Sequence, residues 1–68
     1  MEISYNKLWK VLIDKKMKKV ELKCVAGISS SSLAKLGKNE PVTLEVLMKI
    51  CEALDVNIGD IIEFIKKV

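Results

Sequence analysis

The sequence predicts an all-α domain of five short helices. Three observations carry that expectation. Apolar residues recur at i, i+3, i+4 and i+7 in three separate stretches. No stretch sustains the period-two alternation of a half-buried strand. Helix-stopping residues, Gly27, Asn39 and Pro41, fall between the periodic stretches.

Helix one is expected over Tyr5–Lys16. Tyr5, Leu8, Trp9 and Leu12 form its apolar stripe, Ser4 is a suitable N-cap, and Lys15 and Lys16 suit the negative end of the helix dipole. Helix two, Lys18 to Ala26, places Leu22, Val25 and Ala26 on one face and ends at Gly27, the residue that accepts a positive φ. Helix three follows Ile28. Ser29 is its N-cap, the run Ser29-Ser30-Ser31-Ser32 is cap plus exposed first turn, and Leu33 and Leu36 point inward. It ends near Lys38, where Asn39 can turn left-handed and Pro41 forbids continuation. Thr43 caps helix four, whose stripe is Leu44, Leu47, Met48 and Cys51, stopping near Leu54-Asp55. Asn57 caps helix five, with Asp60 three residues on and Ile58, Ile61, Ile62 and Ile65 at helical spacing.

Composition bounds what such a domain can be. The 68 residues are expected to form one domain spanning 1–68. Half are hydrophobic and 31% charged, a globular rather than a disordered balance. Strictly apolar runs reach three residues, against about 20 for a membrane span. Glu2 follows Met1 where a leader would carry a basic and then an apolar stretch, so a cytoplasmic location is expected. Histidine is absent, and Cys24 and Cys51 stand alone with no CxxC; a metal site, a cofactor and catalytic residues are not expected, and both thiols read as small buried groups in a reducing compartment. Glu45, Glu52, Asp55, Asp60 and Glu63 read as a solvated acidic face. Net charge is +3, unevenly spread. Residues 1–40 hold nine lysines and four acids, +5; residues 41–68 hold three lysines and five acids, −2. The basic half suits nucleic acid or another acidic surface. A solvated lysine surface fits the same residues.

The informative unit runs from Lys19 to Lys38: a short helix, a glycine turn and a helix with a polar first turn. The spacing of Leu22, Ala26, Gly27, Ile28, Leu33 and Leu36 is that of a helix-turn-helix. Leu33 and Leu36 hold the second helix, so its N-terminal residues protrude, and a protruding helix N-terminus fits a major groove. Met17 to Leu22, the turn Ala26-Gly27-Ile28-Ser29, Leu33 to Leu36, Thr43 to Leu54 and Val56 to Ile62 together resemble the lambda-repressor-like, Cro/repressor-type (Xre) helix-turn-helix regulators over about residues 3 to 65. Four positions depart from that family's usual pattern. Lys23 stands where alanine is common, Lys18 where serine or threonine caps, and Leu12 and Gly37 where some members carry an arginine–glutamate pair.

The resemblance implies a five-helix lambda-repressor-like domain, with helices two and three as the helix-turn-helix, that binds double-stranded DNA sequence-specifically, usually as a homodimer, to regulate transcription. It assigns base contacts to Ser29, Ser30, Ser31 and Lys35. It assigns phosphate contacts to Lys19, Lys38, Asn39, Thr43 and Leu44. No arginine, glutamine or asparagine is among the base readers, so modest discrimination is expected, aided by DNA shape. Tyr5 and Trp9 read as core-edge packing. Lys19, beside Lys15, Lys16, Lys18 and Lys23, also suits a plain solvated face. Phe64 with Ile61, Ile62 and Ile65 suits either core or a dimer seam. No seat for a small-molecule ligand is evident. The competing reading is a protein-interaction module on the same fold, an antitoxin-like partner with little specific DNA binding.

Overall fold

The computed structural model describes residues 1–67. Its order is β1 (Glu2–Ser4), α1 (Asn6–Asp14), α2 (Lys19–Ala26), α3 (Ser30–Gly37), α4 (Leu44–Leu54), a 3-10 turn (Ile58–Asp60) and β2 (Glu63–Ile65). There are four α-helices among the described residues, not five. The two strands pair antiparallel, with Ile3 opposite Phe64. Helix five is replaced for a physical reason. The Asn57 and Asp60 caps form, with Asn57 Oδ1 accepting from Ile58 N at 3.0 Å and Asp60 Oδ2 accepting from Asn57 N at 3.0 Å. They hold only one tight turn, because Gly59 weakens the helix and the β-branched and aromatic run Ile61 to Ile65 favours extended backbone. A segment this short gains more from pairing with β1 than from an isolated helix.

Tyr5, Leu8, Leu12, Leu22, Ala26, Ile28, Leu36, Leu47, Ile50, Leu54 and Ile61 form one buried cluster. Four expectations shift. Helix one begins after Tyr5, because Ser4 belongs to β1; the Ser4 hydroxyl still accepts from Asn6 N at 3.3 Å. The inward face of α4 is Leu47, Ile50 and Leu54, and Leu44 and Met48 face solvent. Val25 is exposed although Leu22 and Ala26 are buried. Cys24 is exposed and Cys51 half-buried, so the two thiols are not both core groups.

All four helices end alike. Lys16, Gly27, Asn39 and Asp55 each take a left-handed φ, between 54° and 67°. The next residue's N–H returns to a carbonyl five positions back: Met17 to Leu12, Ile28 to Lys23, Glu40 to Lys35 and Val56 to Cys51, at 2.9–3.2 Å. This bond satisfies carbonyls that the helix end would strand. It also turns the chain sharply, which lets four short helices close around one core.

Candidate nucleic-acid interface

The α2–α3 corner is built from the backbone outward. Lys18 opens α2 with no side-chain cap: its own N–H donates to Glu21 Oε1 at 3.1 Å, the return half of a capping box, and lysine has no hydroxyl to accept from the first turn. Gly27 closes the helix at φ 67°, and an added Cβ there would meet no atom within 4 Å, so it is the left-handed conformation and not lack of space that favours glycine. Buried Ala26 and Ile28 seat the turn. Where the related pattern carries an ion pair, Leu12 lies in the core and Gly37 closes α3, an apolar solution that such sites tolerate.

α3 is anchored by fully buried Leu36 and half-buried Leu33. Its first turn faces outward: Ser29, Ser30, Ser31 and Lys35 are all exposed. Ser29 is committed to the cap. Its Oγ accepts from Ser32 N at 3.1 Å and donates to Ser32 Oγ at 3.1 Å. The Ser30 and Ser31 hydroxyls make no hydrogen bond among the described residues, and their N–H groups lie in the first turn, where no helical acceptor exists and the dipole is positive. Lys35 stands one turn beyond Ser31 on the same face.

The α3–α4 connection presents the next group. Lys38, Asn39, Thr43 and Leu44 are exposed. The Thr43 hydroxyl accepts from Val46 N at 3.2 Å, so α4 also starts with outward N–H groups at Leu44 and Glu45. This connection is braced from 34 residues away. Tyr5 N donates to Asn39 Oδ1 at 3.2 Å and the Tyr5 hydroxyl donates to Glu40 O at 2.8 Å. Burial of the Tyr5 ring raises its phenol above the usual value. The sequence reading missed this brace; its signal was a phenol within an apolar stripe, since a buried tyrosine needs a partner for its hydroxyl.

Lys19 is placed differently from the rest. It is exposed at the first turn of α2, but its ammonium lies 4.3 Å from the centroid of the Trp9 ring. The other candidate lysines, Lys35 and Lys38, have no aromatic or carboxylate partner among the described residues. Among these residues no cluster of three or more metal-ligating side chains occurs, and no helix is long and apolar enough to cross a membrane.

The model of the Cro/C1-type helix-turn-helix DNA-binding domain matches residues 7–67. A comparison with curated proteins returns no match. The crystal structure of transcriptional regulator VanUg, Form II, superposes with a TM-score of 0.88 at 61% identity, over 91% of this chain and 83% of that one.

Proposed function

This chain belongs to the Cro/C1-type helix-turn-helix DNA-binding family, and we propose that it is a transcriptional regulator that reads double-stranded DNA with α3 in the major groove. The observation that carries the reading is the serine turn. Three consecutive exposed serines open a helix whose other side is fixed in the core by Leu36. Short hydroxyl side chains let the helix start approach base edges closely, and each serine can donate or accept. Base contact falls chiefly to Ser30, Ser31 and Lys35; Ser29 stands at the groove edge with its hydroxyl held by the cap. Lys38, the Asn39 amide, the Thr43 hydroxyl and the Leu44 N–H then face phosphate at the start of α4. Lys19 joins them by leaving Trp9, which forfeits a cation–π contact worth roughly 0.5–1 kcal/mol, so its share of binding is smaller. A homodimer places two such units on a symmetric site, and exposed Phe64 and Ile65 on β2 are candidates for its seam.

An NMR titration of isotope-labelled protein with duplex DNA tests the assignment. Shifts are expected at Ser30, Ser31 and Lys35 and across Lys38 to Glu45. Shifts spread evenly over all lysine-bearing segments would reduce the interaction to general charge attraction.

A further inference from the structure

The end of α1 and the start of α2 leave an open groove of about 430 Å³ that the DNA reading does not use apart from Lys19. Trp9, Leu12, Ile13, Met17 and Val20 line it, with Lys18 and Lys19 alongside. Leu12 belongs to the core and Trp9 and Met17 pack against it, but Ile13 and Val20 do not extend that core. Ile13 is 73% exposed and Val20 66%, although Leu12 and Leu22 beside them in sequence are buried. Two large aliphatic groups facing water over a tryptophan-lined slot mark an interaction surface rather than a folding requirement.

Charge identifies the occupant. Residues 9–21 hold five lysines against Asp14 and Glu21, a surplus of +3 that equals that of the whole chain. The Glu21 carboxylate is already engaged, accepting from Lys18 N at 3.1 Å. We propose that this groove docks a short acidic and apolar peptide segment of a partner protein. Apolar side chains of the peptide enter beside Trp9, against Ile13 and Val20. Its carboxylates meet Lys15, Lys16, Lys18 and Lys19. A phosphate backbone would reward the lysines but not Ile13 and Val20. A second copy of this chain docked face to face would set two cationic surfaces against each other.

Peptide display on the intact chain without DNA tests this apart from the DNA reading. Trp9 is the only tryptophan, so its fluorescence reports occupancy of the groove directly. The expected result is enrichment of peptides that combine Asp or Glu with large apolar residues. A synthetic enriched peptide should change Trp9 emission saturably. The double variant Ile13→Ser, Val20→Ser should weaken it about tenfold or more. Both positions are exposed, so the variant keeps its core, which a thermal melt checks. No enrichment would overturn the proposal. So would acidic peptides that bind the double variant equally well, since lysine attraction alone would then suffice. A duplex DNA probe that changes Trp9 emission and loses affinity in the same variant would assign the face to nucleic acid instead.

Discussion

At the scale of single residues, adjacent serines have different tasks. Ser29 gives its hydroxyl to the cap, whereas the Ser30 and Ser31 hydroxyls make no hydrogen bond among the described residues. Ser30→Ala with Ser31→Ala should therefore leave stability within about 0.5 kcal/mol, as for exposed positions without a structural partner. It should narrow the affinity gap between a preferred and a scrambled duplex by roughly thirtyfold, measured by anisotropy, as expected for two hydrogen bonds of about 1 kcal/mol each. Glycine shows the same dependence on position. Gly27 sits at φ 67° and Gly37 has helical backbone, and neither would clash with an added Cβ. Gly27→Ala should cost about 1–2 kcal/mol through backbone strain alone. Gly37→Ala should stabilise by about 0.5–1 kcal/mol through helix propensity. Urea midpoints at unchanged slope check both signs.

At the scale of elements, the loop between α3 and α4 is held by hydrogen bonds from Tyr5 as well as by its own turn. Tyr5→Phe keeps the buried ring and removes the donor to Glu40 O; it should cost about 1 kcal/mol in urea. The same change should broaden amide signals from Lys38 to Val42, because the loop loses one of its two ties to the β1–α1 junction. The caps at Ser29, Thr43 and Asn57 and the turns at Gly27 and Asn39 were legible in the sequence because each is a local device with a local residue signature. The β1–β2 pair was not, since Ile3 and Phe64 meet across almost the whole chain and three-residue strands carry no periodicity. The face of α4 was ambiguous for another reason. Leu44, Leu47, Met48 and Cys51 satisfy helical spacing as well as Leu47, Ile50 and Leu54 do, and only packing against the rest of the fold decides between them. The left-handed ends at Lys16 and Asp55 use residue types that give no glycine signal. Of the candidate residues, their place at the starts and ends of helices was readable and their commitments were not: neither the bond from the Ser29 hydroxyl to Ser32 Oγ, nor the Trp9 partner of Lys19, nor the Tyr5 brace follows from local spacing.

For the whole molecule, buried Tyr5 and half-buried Cys51 contribute to how stability changes at alkaline pH. Burial raises the Tyr5 phenol above its ordinary value of 10.0. Burial, and then the negative charge of Asp60, raises the Cys51 thiol above 9.0. Both groups hold their protons more tightly when folded. Their stabilisation is fully present below those ordinary values and is lost as pH rises through the higher folded ones. The urea midpoint should fall as pH climbs from about 9 upward, and Tyr5→Phe should remove part of that fall. The basic surplus of the first 40 residues belongs to the same scale: on the proposed function it would supply attraction to DNA of any sequence and leave choice among sequences to the serine turn. In-vitro selection from a random duplex pool at about 150 mM salt separates the two contributions most directly. Base reading by the serine turn should give an enriched, two-fold symmetric motif that Ser30→Ala with Ser31→Ala blurs, and a salt slope that falls by about one for Lys38→Ala. An unenriched pool, with binding that disappears as salt rises, would contradict it.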